Sequence, residues 1–411
     1  MIPLGPTSSA SIGQTRSLGC QSCELLESCG GVYEGWDCLV QCCNDPQHCT
    51  SACFRSKHFV KVVRDAGGLD IERRWQIGRH YSKLPTYIPH ILNGYQRSEC
   101  LPTRHVALTT YDVLSVGSRA VPHRLSSSSG LREHFKISPK AQVLLLSIGK
   151  DHRLERYWKY ELSQRLPERL ASLGIKYVTA PNYSFPLNVP RPEHLVNRRR
   201  SLVSAERMSA AGLSVIPHLN AMTQKDWDCW RDFLKDHPQL FFVALEFQTG
   251  LRKPSKAKWH LSQLLNLQES LGRKLHLIAV AGRRHLRFCS ELPAVTIVDA
   301  VPFVRTHKRR RLQQLHHRWV VTSSEIGEPL HALLYHNVRI YAQAVSASLD
   351  SLRRLSLQLL SAQDRVSGTG DFEREMAYYE SAQLELPFPH VSDAINRHRK
   401  SGYMELPFSP H

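Results

Sequence analysis

From residue 141 onward, short apolar runs rich in β-branched and aromatic residues alternate with stretches of helical periodicity. The runs are VLLLSIG (143–149), IKYVTA (175–180), LSVIPH (213–218), LFFVALE (240–246), LHLIAVAG (275–282), AVTIVDA (294–300), WVVTSSE (319–325) and VRIYAQA (338–344). Between them lie amphipathic segments such as RLERYWKYELSQRLPERLASLG, PEHLVNRRRSLVSAERMSAAG, QKDWDCWRDFLKDH and KWHLSQLLNLQESLG, and SASLDSLRRLSLQLL follows the last run. Strands that are apolar on both faces and separated by helices predict an α/β architecture on a parallel sheet.

Eight strands, each followed by a helix, is the count of a TIM barrel, so residues 141–362 are expected to form a TIM-barrel-like (βα)8 domain. A doubly wound open sheet shares this alternation and remains the rival. Residues 55–140 carry mixed patterns, including RRWQIGRHYSKLPTYIPHILNG and RHVALTTYDVL, and are expected to be a connecting subdomain. Residues 363–411 turn polar and Pro-rich, which predicts a flexible tail, and residues 1–18 predict a flexible N-terminus.

Charge narrows the partners. Lys and Arg total 54 against 36 Asp and Glu, a net charge of +18, which favours nucleic acid over an acidic membrane face. No run approaches the roughly 20 apolar residues of a membrane span. The first residues lack the apolar stretch of a secretory signal, so a cytoplasmic location is expected.

In that compartment thiols stay reduced, and a dense cysteine patch reads as metal binding. Residues 19–54 hold such a module: Cys20, Cys23, Cys29, Cys38, Cys42, Cys43, Cys49 and Cys53. Eight thiolates suffice for two four-cysteine sites. The all-cysteine set and irregular spacing favour a 4Fe–4S iron–sulfur cluster over zinc. The half-patterns Cys20-x2-Cys23-x5-Cys29 and Cys43-x5-Cys49-x3-Cys53 resemble pieces of the auxiliary-cluster domains of radical-SAM enzymes. The Cys-x3-Cys-x2-Cys motif of the radical core is absent from the chain, so radical chemistry is not expected. A metal that only staples a subdomain too short to bury a core is the favoured role.

Chemistry in a barrel sits on the loops after the strands. Glu246 closes an otherwise apolar run, where an unpaired charge is costly, and is the first catalytic candidate. Asp151, Glu325 and His218 follow other runs and complete the catalytic set. Two carboxylates across a mouth suit glycosidic chemistry, one protonating the leaving group while the other attacks or stabilises the cation. Arg191, Asn197, Arg200, Arg283 and Arg284 are candidates for binding nucleic-acid phosphate, because guanidinium forks match phosphate oxygens. No GxxxxGK[ST] or GxGxxG loop is present, which disfavours P-loop and Rossmann enzymes.

The segments KDHRLERYW, VTAPNYS…VPRPEHLVNRRRS, GLSVIPHLNA and ALEFQTG are similar to a family of bacterial and phage proteins carrying a domain of unknown function, over roughly residues 85–340. The resemblance implies a barrel-like fold and supplies no reaction. In the tail, QLELPF resembles the hexapeptide by which bacterial DNA polymerases and repair proteins dock on the sliding clamp, and MELPF partly repeats it. That resemblance implies Gln383, Leu384, Leu386 and Phe388 as anchors and the sliding clamp as a partner.

Together these features predict a metal-containing barrel protein acting on nucleic acid at a base or glycosidic bond. A non-catalytic DNA-associated accessory factor recruited by the clamp and a carbohydrate-active TIM-barrel enzyme are the alternatives. Protein purified without oxygen should show a broad absorption band near about 400 nm with bound iron and sulfide. Colourless protein holding about two zinc ions would instead make the cysteines zinc ligands.

Overall fold

The computed structural model describes residues 26–29, 31, 52–53, 56–69, 83–114, 126–185, 189–315 and 318–363. Ten strands lie among them: β1 (Tyr87–Pro89), β2 (His105–Thr109), β3 (Gln142–Leu146), β4 (Tyr177–Thr179), β5 (Ser214–Ile216), β6 (Phe242–Glu246), β7 (His276–Val280), β8 (Ala294–Asp299), β9 (Arg310–Leu315) and β10 (Arg318–Ser323). The helices are α1 (Leu26–Cys29), α2 (Phe59–Ala66), α3 (Thr110–Val113), α4 (Ser128–Phe135), α5 (Asp151–Tyr160), α6 (Leu166–Ser172), α7 (Arg191–Ala210), α8 (Gln224–Asp236), α9 (Pro254–Leu271), α10 (Leu286–Ser290), α11 (Val301–His307) and α12 (Leu330–Gln363).

The expected α/β alternation is present as two four-stranded parallel sheets, β2-β3-β4-β5 and β1-β8-β7-β6. Single parallel bridges, His90 to Ala107 and His218 to Ala244, link β1 to β2 and β5 to β6. Alternate residues of every one of these eight strands meet in one apolar cluster that includes Ile88, Ala107, Leu144, Tyr177, Ile216, Ala244, Ile278 and Val298. The other face of the strands packs on the helices, as Val143, Val178, Val243 and Leu277 do. Burial on both faces is why the strands read as continuous apolar runs.

Six of the eight expected strands lie in the parallel sheets. Residues 87–109, expected in a connecting subdomain, supply the other two, pairing β1 with β8 and β2 with β3. The run at 319–325 pairs antiparallel with β9 as a hairpin outside both sheets. The run at 338–344 is helical. Leu330, Leu333, Leu334, Asn337, Val338, Tyr341, Val345 and Leu349 are buried at three- and four-residue spacing, so the helical period overrides the local β-branched content. Through Tyr341, whose ring lies 5.0 Å from that of Tyr87, α12 covers the junction of β1 and β8.

The most demanding packing is around α7. Arg191, Arg198, Arg199 and Arg200 are all buried, although a run of arginines normally faces solvent. Asp226, fully enclosed on α8, accepts from Arg191 at 2.8 and 2.9 Å and from Arg198 at 2.6 Å. The same carboxylate takes the backbone N–H groups of Met222 and Thr223, closing a capping box with Thr223 at the start of α8. Burial alone would raise its carboxyl, yet the two guanidiniums hold it down at about 2. Arg191 also donates to the carbonyl of Cys29, and Arg199 donates to those of Ala66 and Gly67, so α7 fastens α1 and α2 to the sheet.

Asp226→Asn leaves two buried guanidiniums without a counter-charge and should lower stability by about 3–5 kcal/mol in urea unfolding. Asp228→Asn, on the exposed side of the same helix, should change it by less than about 1 kcal/mol. Equal effects of the two substitutions would show that the buried cluster carries no special weight.

Candidate functional site

The loops after β3, β4, β5 and β6 enclose a groove in two connected parts. One is a cavity of about 400 Å³ walled by Asn182, Ser184, Asn220, Glu246, Lys256 and Trp259 among others. The second, of about 760 Å³, continues over Asp112, Lys150, His152 and Gln248. Asp151, Asn182, Ser184, Glu246 and Thr249 line both parts and mark the seam between them.

Glu246 ends β6 at this seam. Its Oε2 accepts from Asn182 Nδ2 at 3.2 Å and its Oε1 accepts from the backbone N–H of Gln248 at 3.2 Å. Burial pushes its carboxyl above the ordinary range, against opposing hydrogen bonds from Gln248, Thr249 and Asn182. Asp151, the exposed first residue of α5, accepts from Ser184 Oγ at 2.5 Å. The groove therefore holds the partly buried Glu246, the exposed Asp151 and, in its larger part, Asp112 paired with Arg153.

Its walls are braced from behind. Asn197 on α7 donates to the Ser184 carbonyl, Asn220 donates to that of Tyr183, and Trp230 on α8 donates to that of Asn220. Arg200 forms a two-pronged ion pair with Glu155 at 2.9 and 2.7 Å and lies 4.2 Å from the Tyr183 ring centroid. Lys256, Trp259 and His260 present one face of α9 to the cavity at three- and four-residue spacing.

Of the sequence candidates, Glu246 and Asp151 meet in the groove. Glu325 does not: it is exposed in the loop after the β9–β10 hairpin and lines neither cavity. His218 belongs to the core, 1% exposed, with neither ring nitrogen paired among the described residues. Arg191, Asn197 and Arg200 are not exposed phosphate ligands. They are 1%, 5% and 6% exposed and engaged with Asp226, Ser184 and Glu155. Arg283 and Arg284 do stand at a strand end, in the 3-10 turn Gly282–His285 after β7.

Lys256 and Trp259 carry no local motif that sets them apart in the sequence. Asp299 closes an apolar run just as Glu246 does. Asp299 is spent on structure: it accepts from the Val301 N–H at 2.7 Å and from the Tyr341 hydroxyl at 3.2 Å.

The cysteine module is described at only two of its eight ligand candidates. Cys29 is tied to Arg191 through its carbonyl, and Ala52, next to Cys53, donates its N–H to Glu193. Both segments thus reach the first turn of α7. Cys20, Cys23, Cys38, Cys42, Cys43 and Cys49 lie outside the described residues, as do Gln383, Leu384, Leu386 and Phe388. Among the described residues, no group of three or more His, Cys, Asp or Glu side chains is arranged to hold a metal ion. No described helix is long and apolar enough to cross a membrane. No protein-family model and no curated protein matches the chain.

Four histidines around these strand ends are buried and neutral. Loss of hydration pushes His90 and His285 down to about 4, and His218 and His260 down to about 3, from 6.5. Between those values and 6.5 the unfolded chain binds protons that the folded chain refuses. Their stabilisation is therefore complete above about pH 6.5 and is lost as pH falls toward 4 for His90 and His285 and toward 3 for His218 and His260. Each adds a slope of up to about 1.4 kcal/mol per pH unit. Unfolding free energy should drop by more than about 2 kcal/mol from pH 7 to 5, measured by urea titration; a flat profile would contradict the buried neutral state.

Proposed function

We propose that the two parallel sheets close into one (βα)8 barrel, and that its strand-end groove is the reaction chamber of an enzyme cleaving a glycosidic or base-to-sugar bond. Closure is supported by the bridges at His90–Ala107 and His218–Ala244 and by the apolar cluster drawn from all eight strands. In such barrels the chemistry sits at this end.

The observation that carries the reading is Glu246: a partly buried carboxyl with raised proton affinity, oriented by Asn182 and Gln248, sharing a groove with Asp151. In its protonated form Glu246 gives its proton to the leaving oxygen or nitrogen as the bond to the sugar carbon breaks. Asp151 faces the resulting cation or takes a proton from the water that adds to it. Trp259 and Phe185 supply flat apolar surface for a sugar or base, while Asn182 and Asn220 supply amide groups. The cysteine module takes no part in this sequence; a cluster or zinc bound there would staple the N-terminal segment. A cytoplasmic setting fits reduced thiols in that module.

Glu246→Gln keeps the side-chain shape and removes the transferable proton. It should lower turnover by about 10²–10⁴-fold without lowering the melting temperature. The assay follows free base or sugar released from a mixed-sequence oligonucleotide, and nitrophenol released from nitrophenyl glycosides. Turnover of either substrate that survives the substitution unchanged would remove Glu246 as the acid. Cleavage of glycosides alone would turn the reading toward carbohydrate.

A further inference from the structure

On the β3–β4 side of the groove, Arg153 pairs with Asp112 at 2.8 Å and Arg200 pairs with Glu155. The β6–β8 side carries five arginines at its strand ends. Arg252 ends the 3-10 turn Gly250–Arg252 after β6, Arg283 and Arg284 lie in the turn after β7, Arg305 is on α11 after β8, and Arg310 opens β9.

Because β6, β7 and β8 are hydrogen-bonded neighbours in that order, these segments stand side by side. Besides partial burial, Arg284 feels the like charges of Arg252 and Arg283, and Arg305 feels those of Arg283 and Arg310. Among the described residues Arg252, Arg284 and Arg305 form no ion pair. The carboxylate that acts on Arg283 and Arg284 is Asp299, already hydrogen-bonded to Val301 and Tyr341. Ala281 turns the chain into this row with φ 56°, a left-handed conformation costly for alanine. The row also borders the groove. Leu251 beside Arg252 lines the smaller cavity, and Ala300, just before α11, lines the larger.

Clustered guanidiniums that repel one another, three of them forming no ion pair among the described residues, are a site for an extended anion. We infer that the row Arg252–Arg284–Arg283–Arg305–Arg310 is a track for the sugar-phosphate backbone of a single-stranded polynucleotide, laid beside the groove so that one nucleotide enters it. A single strand is favoured over a duplex because a base must leave its stack to reach a cavity of about 400 Å³ walled by Trp259 and Phe185. The inference rests on the proposed function only for the identity of the reacting centre.

The test uses the full chain, a labelled single-stranded oligonucleotide of about 20 residues and fluorescence anisotropy between about 50 and 300 mM salt. Each phosphate contact on a single strand contributes about 0.7 to the salt slope, so R252Q/R284Q/R305Q should flatten it by about 2 and weaken binding at least roughly tenfold near 100 mM salt. K61Q/R165Q/R231Q removes the same charge from cations paired elsewhere and should bind like the parent. Melting temperatures of both triple variants establish that they fold.

Parent-like binding by the folded row variant, or equal loss in the control, would overturn the track. So would equal competition by polyglutamate, which would make the row an acidic-peptide site, or tighter binding of a duplex of the same length. Glu246→Gln should bind the oligonucleotide as the parent does. Normal turnover by that variant alongside lost binding by the row variant would sink the catalytic reading and leave the track standing. The opposite pair of results would sink the track alone.

Discussion

The carboxylate of Asp226 anchors α7, the helix to which the segments at Cys29, Ala52 and Ala66 are bonded. It sits in the interior with two guanidiniums and two backbone N–H groups aimed at it. Replacing such a cluster by apolar residues can cost nothing, but removing one partner strands charge in a medium that solvates it poorly. Specificity is what the arrangement supplies. One guanidinium, that of Arg191, joins the Asp226 carboxylate to the Cys29 carbonyl and so links α7, α8 and α1.

The groove inherits this order. Asn197 and Arg200 lie on α7 one helical turn apart; one holds the Ser184 carbonyl and the other covers the Tyr183 ring. Ser184 in turn orients Asp151, and Tyr183 accepts from Asn220. Asp151 is thus positioned through two successive contacts that begin at a buried helix. Glu246 is positioned by β6 and by Asn182, two residues before Ser184 in the chain. Both carboxyl groups are therefore tied to residues 182–184 after β4, which reach from the β3 side to β6.

Much of this was legible in the amino-acid pattern where burial leaves a simple signature. Runs apolar on both faces marked six parallel strands, and a charge closing such a run marked Glu246. β1 and β2 were not set apart as barrel strands because Tyr87–Pro89 ends at a proline and His105–Thr109 lies in a stretch of mixed pattern with no helix between the two. The last two expected strands failed for opposite reasons: one run pairs in a hairpin outside the sheets, and the other is absorbed into a 34-residue helix. The arginines of α7 were misread because their partners are distant in sequence. Nothing near residue 198 announces Asp226, or the carbonyls of residues 29, 66 and 67.

Those distances set an order of events during synthesis. The contact between Cys29 and Arg191 spans 162 residues, that between Ala52 and Glu193 spans 141, and that between Ala66 and Arg199 spans 133. Asp226 is made later still. The cysteine-bearing segment therefore emerges from the ribosome long before the helix that receives it, and before the carboxylate that readies that helix. Through that interval its thiols are open to whatever metal, oxidant or chaperone they meet first.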